Sequence, residues 1–170
     1  MKTSGYALRE AIGLHVLRRD TSSRAFKGSL KAFPDEKKEK PQDVVEQFLK
    51  AERAIAKLQT AQAKYNLLMT VEVSGELMTL SEAIKTIGGV ARAEKMWRSA
   101  AGPKEDRYSY GDNDTVRDPN QVRAVPTVSI SEMVKLATQV GKRSGALRAA
   151  IATTNAKEVE IEGLDASLFE

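Results

Sequence analysis

Apolar side chains recur along this chain at the three- and four-residue steps of a helix, in segments parted by polar, proline-rich and glycine-rich stretches. Leu8, Ile12 and Val16, followed by Phe26 and Leu30, predict a first helix from Ser4 to about Leu30. Thr21-Ser22-Ser23 and Gly28 weaken its second half, because such residues compete with or loosen helical backbone. The run from Pro34 to Lys40 reads as a charged connector, residues 34–40, and Pro41 suits the first position of the next helix. There the pattern is sustained: Val44, Phe48, Ala51, Ile55, Leu58, Gln62, Tyr65 and Met69 alternate steps of four and three. A helix over 41–69 is about 43 Å long at ~1.5 Å per residue, so it needs a long partner. Gln62, polar within the stripe, is placed to set register.

The period then changes. Thr70-Val71-Glu72-Val73 alternates with period two, Ser74-Gly75 is a turn pair, and Glu76-Leu77-Met78 returns, which predicts a small β-hairpin. Thr79-Leu80-Ser81-Glu82 is a capping box opening a third helix through Leu80, Ile84, Ile87 and Ala91 to about Ala100. Residues 102–126 are polar and turn-rich, a long loop of the kind that in compact domains is functional or disordered. Ser129-Ile130-Ser131-Glu132 is a second capping box, and Ile130, Met133, Ala137, Val140, Ser144, Leu147 and Ile151 continue it as a fourth helix. Residues 156–170 mix Val159, Ile161, Leu164, Leu168 and Phe169 with acids, an acidic C-terminal arm suited to docking on another surface. The expectation is a mostly α chain, residues 1–170 forming a single helical domain: a long-helix antiparallel bundle with a small β-hairpin between helices two and three.

Composition agrees with helix packing. Aromatics are 5% of the 170 residues, so the core rests on Leu, Ile, Val, Ala and Met. With no cysteine, disulfide and thiol chemistry are excluded, which fits a reducing cytoplasmic setting. Met1 to Ala11 carries no continuous apolar stretch, and no run of about 18 apolar residues occurs anywhere, so neither a targeting segment nor a membrane span is expected. The net charge is +4, but residues 156–170 carry one Lys against five acids, leaving +8 on the first 155. A basic body favours an anionic partner, against the plainer reading of solubility alone.

Several segments taken together resemble the septicolysin-like family, small helical proteins of bacteria and their phages. They are Ala7-Leu8-Arg9-Glu10-Ala11, Tyr65-Asn66, Met78-Thr79-Leu80-Ser81-Glu82-Ala83-Ile84, Val125-Pro126-Thr127-Val128-Ser129-Ile130 and Ile151-Ala152-Thr153-Thr154-Asn155, in that order. The resemblance implies a helical, self-associating protein and carries no activity residue by residue. It breaks off after Asn155, where the family pattern expects Trp-Thr-Thr-Asp and this chain has Ala156-Lys157-Glu158-Val159.

Catalytic chemistry has little to stand on. His15 is the only histidine, and on a helix apolar at Ile12 and Val16 it reads as structural. No HExxH or paired Cys/His spacing exists, so no metal site and no cofactor are expected. Gly141-Lys142-Arg143-Ser144 mimics the end of a phosphate loop, but Leu136 stands where the earlier glycine is required. The richest stretch is Gly88-Gly89 followed by Arg92, Lys95, Trp97 and Arg98. The three cations step i, i+3, i+6 along one side of a helix, and tryptophan can stack on a base. The glycines permit close approach of a backbone, or a break whose new helix N-terminus favours an anion. The plainer reading makes Gly-Gly a helix contact, Trp97 a core residue and the cations a solvated face paired with Glu94. In the long loop, Arg107 and Tyr108 join Lys104, Tyr110, Arg117 and Arg123, basic residues interleaved with tyrosine, diluted by four aspartates. Duplex DNA is not expected as a partner, since no helix carries a dense basic stripe.

Two readings lead. One is a non-enzymatic, homo-oligomeric binding protein that sequesters a small anionic, nucleotide-like ligand through Arg92, Lys95, Trp97, Arg98, Arg107 and Tyr108. The other is a structural helical oligomer with no small-molecule ligand. A carboxylate-based metalloenzyme and a membrane-active protein rank behind both.

Overall fold

The computed structural model describes residues 1–31, 33, 35–102 and 127–170. The chain is mostly helical, with two small antiparallel sheets. Strand β1 (Lys2–Ser4) runs directly into α1 (Gly5–Ser29), where Ser4 caps the first turn by accepting from the Ala7 N–H at 3.2 Å. Helix α2 (Pro41–Leu68) begins at its proline, with Asp43 complementing the positive end of the helix dipole. It stops at Met69, which turns extended while its N–H still reaches Tyr65 O at 3.0 Å. Strands β2 (Thr70–Val73) and β3 (Glu76–Thr79) pair across Ser74 and Gly75, both at positive φ, as a two-residue hairpin of mirror-image turn requires. Its inward face is Val71 and Val73, both buried.

Helix α3 (Leu80–Ala101) opens with the Glu82 N–H on Thr79 Oγ1 at 3.1 Å, and α4 (Ile130–Asn155) with the Glu132 N–H on Ser129 Oγ at 3.2 Å. Both capping boxes therefore form in their hydroxyl half. Strand β4 (Glu158–Glu160) pairs antiparallel with β1, and a 3-10 turn at Ala166–Phe169 packs on α1. The C-terminal arm thus docks on its own chain. Neither β1 nor β4 is visible as a strand pattern, because three residues are too few to show a period.

The chain divides into two compact units, one of Met1–Ile84 with Arg148–Glu170 and one of Lys85–Leu147. In the first, α1 and α2 form an antiparallel pair whose core is Leu8 and Ala11 against Val44, Ala51, Ile55, Leu58 and Tyr65. Ala54 and Ala61 widen the buried stripe of α2 beyond the two-position seam. On α1 the buried positions are Gly5, Leu8, Ala11, His15 and Ser22, with Ile12 and Val16 only half-buried. The stripe of apolar residues read from sequence lies to one side of the face that packs. In the second unit, Ala137, Ser144 and Leu147 are the buried positions of α4, while Ile130 at its start is exposed. Gly141 lies against Glu94 of α3: a Cβ there would stand 3.0 Å from Oε1 of Glu94. Among the described residues no helix is long and apolar enough to cross a membrane.

Candidate functional site

The basic cluster sits on α3, and the helix runs unbroken through Gly88-Gly89. No second helix N-terminus arises there, so the anion-binding dipole that a break would have supplied is absent. Nor does packing require a glycine at residue 88, where a Cβ would make only an ordinary contact. Arg92 Nη1 lies 3.6 Å from where a Cβ at residue 88 would stand, one helical turn back.

Arg92, Lys95 and Arg98 are all exposed and Trp97 is half-buried. Arg98 is already committed: its Nη2 meets Glu94 Oε1 at 2.8 Å and its Nε donates to the same oxygen at 2.9 Å. Arg92 and Lys95 have no ion-pair partner among the described residues. The cluster therefore presents two cations with no ion pair among the described residues, a third held beside a carboxylate, and a half-buried indole. Side chains one position apart on a helix diverge by about 100°, so Trp97 and Arg98 do not face one ligand from this helix alone. Arg107 and Tyr108 fall outside the described residues, as does the rest of the loop from 103 to 126.

Charge is unevenly divided between the two units. Lys85–Leu147 holds 11 basic and 7 acidic residues, whereas the remainder of the chain holds 16 of each. The whole net charge of +4 belongs to the unit that carries the cluster. Among the described residues no group of three His, Cys, Asp or Glu side chains is placed to hold a metal ion.

Sequence reasoning passed over a second constellation, in the first unit. Tyr65, fully buried at the end of α2, shares its hydroxyl hydrogen between Thr154 O at 2.7 Å and Lys157 O at 2.8 Å. Burial pushes the Tyr65 phenol above its ordinary pKa, opposed by the Gly5 backbone N–H. Gly5 is obligatory here: a Cβ would stand 2.9 Å from Tyr65 Cε1 and closer still to the Asn155 amide. Tyr65, Thr154 and Asn155 were legible only as short shared words, and they form a knot tying the ends of α1, α2 and α4.

No family model matches the chain, and no curated protein matches it. Among solved structures the fold is similar to a functionally unknown conserved protein from Corynebacterium diphtheriae, with a TM-score of 0.64 over 94% of this chain and 100% of that one. Sequence identity is 17%, so the likeness concerns the fold.

Proposed function

We propose that this is a non-enzymatic binding protein that sequesters a small anionic, nucleotide-like ligand, with the basic unit Lys85–Leu147 as its receptor. The observation that carries the reading is the confinement of the net charge to that unit, with Arg92 and Lys95 in no ion pair among the described residues. A forked guanidinium and a neighbouring ammonium suit phosphate oxygens, and Trp97 offers a face to a base. Because Trp97 and Arg98 diverge, a ligand using both needs a wall from elsewhere: the 103–126 segment or a second copy. The self-association implied by the septicolysin-like resemblance would supply the latter.

The test is calorimetry and Trp97 fluorescence during titration with cyclic dinucleotides, ADP-ribose and nucleoside phosphates. Trp97 is the only tryptophan, so any emission change reports this site. Saturable binding is expected, weakened about tenfold or more by Arg92→Ala or Lys95→Ala, as loss of a charge-assisted hydrogen bond implies. Arg98→Ala should weaken it less, since Arg98 already answers Glu94. Absence of binding, or binding indifferent to these changes, would transfer the argument to a second reading, a structural oligomer. That reading rests on the exposed apolar side chains of the α1–α2 pair and the residues joining it, Leu17, Leu30, Phe33, Val45 and Leu49.

A further inference from the structure

Near the connector that joins α1 to α2, the two helices leave an apolar groove of about 330 Å³. Ser23 and Phe26 line it from α1, and Val45, Phe48 and Leu49 line it from α2, over the buried Val44. Two turns back from Phe26 and two turns on from Val45, the Arg19–Glu52 ion pair crosses from helix to helix at 3.5 Å. In the other direction Leu30 and Phe33 carry the apolar surface past the end of α1. Phe26 is 37% exposed, Leu30 57%, Phe33 80%, Val45 40% and Leu49 45%. Together these fractions amount to about 2.6 whole side chains, roughly 400–500 Å² at ~150–200 Å² each. A stable interface takes about 800 Å² from each partner, a little over half of it apolar. This face already supplies the apolar share, roughly 450 Å², that such an interface needs.

Two features make the face complementary to itself. Beside the groove stands Phe33, the most exposed large apolar side chain among the described residues. A two-fold axis presents each copy's groove to the other copy's Phe33, because in an isologous contact every knob that meets a hole does so twice. The two helices also differ in charge. Residues 18–29 hold four basic side chains and one acidic, whereas residues 41–52 hold three acidic and one basic. Lys27 and Glu46, next in sequence to Phe26 and Val45, are exposed and have no ion-pair partner among the described residues. A pairing that lays α1 of one copy across α2 of the other sets basic against acidic on both sides of the axis.

We propose that a second copy of this chain closes the groove, α1 of each copy lying across α2 of the other and Phe33 of each seated in the groove of the other. This gives the structural-oligomer reading a definite surface, and it requires no ligand at the α3 cluster. The full chain is measured without ligand by sedimentation equilibrium and light scattering. A dimer mass is expected at ~100 μM, since interfaces of this size hold at micromolar concentration or tighter. Phe33→Ala should weaken the dimer about tenfold or more by emptying the groove. Val45→Asp should weaken it at least as much, because it buries a lone carboxylate in the contact. Both changes fall on exposed side chains, so the fold is kept, as circular dichroism of dilute samples will show. Leu67→Asp, on an exposed leucine of α2 outside the groove, should leave the mass unchanged, as should Arg92→Ala and Lys95→Ala. A monomer mass at ~100 μM would overturn the proposal and leave the groove to a different occupant. So would a dimer indifferent to Phe33→Ala and Val45→Asp, or one that Leu67→Asp weakens as much. Failure of the α3 reading would show in the Trp97 titration and not in the mass.

Discussion

Through its hydroxyl the buried Tyr65 joins the end of α2 to the end of α4 and to Lys157 beyond it. Removing only its hydroxyl, by Tyr65→Phe, leaves Thr154 O and Lys157 O without their shared donor in a buried setting. A loss of about 1–3 kcal/mol is expected by chemical denaturation. The raised phenol pKa adds a pH signature with a definite sign. The folded state holds the proton more tightly than the unfolded chain, so this contribution is intact below about pH 10 and falls as pH rises through the folded pKa. Wild-type stability should therefore decline above about pH 10 more steeply than that of Tyr65→Phe, read from urea midpoints across pH 8–11. Gly5→Ala should be more damaging than a helix-favouring change normally is, because its Cβ has no space against Tyr65 and Asn155. A cost of about 1–3 kcal/mol is the expected overpacking penalty. None of this was legible in the sequence, since a Tyr in a heptad stripe and a Gly at a helix start look alike whether or not they touch.

At the level of elements the sequence was far more legible, and the reason is length. Helix α2 spans seven turns of repeated apolar steps, so its bounds, Pro41–Leu68, fall within a residue of the helix read over 41–69. The hairpin was equally legible because Ser74-Gly75 follows the alternating Thr70-Val71-Glu72-Val73 and precedes a return at Glu76-Leu77-Met78, and both capping boxes sit where a hydroxyl precedes an acid by three. What failed was local. Gly88-Gly89 does not interrupt α3, since helix propensity differences of about 1 kcal/mol per glycine are smaller than the cooperativity of a 22-residue helix. The face of α1 was displaced, because burying His15 and Ser22 breaks the rule that the buried stripe is the apolar one. The α3 cluster was half-legible: spacing placed its cations on one side, but the Glu94–Arg98 pair depends on rotamers. Two tests belong at this scale. Leu58→Ala, fully buried in α2, should cost about 2–5 kcal/mol, whereas Leu67→Ala, exposed on the same helix, should cost little, as thermal melts will show. Thr79→Ala should cost about 0.5–2 kcal/mol by removing the α3 cap.

For the molecule as a whole, the C-terminal segment decides whether α1 is finished. Ile161 is buried, its N–H bonds Met1 O at 3.0 Å, and the 3-10 turn brings Leu168 O to His15. Asp165 caps that turn, and its carboxyl is held below the usual range by the Ser167 backbone and hydroxyl, with Lys57 adding attraction. A depressed carboxyl contributes only while ionised, so its share is present above about pH 4 and is lost as pH falls through the folded value. Asp165→Asn should therefore flatten the acid side of the stability profile, measured as melting temperature between pH 3 and 6.

The β1–β4 ladder joins residues about 158 positions apart, Lys2 to Glu160, and His15 meets Leu168 across 153. A ribosome makes one partner of each pair long before the other. The α1–α2 pair can form as soon as it clears the exit tunnel, but its seam near His15 stays open until residues 158–169 emerge. Until then the pair carries its seam without the three-residue strand and the Leu168 carbonyl that meet it in the fold.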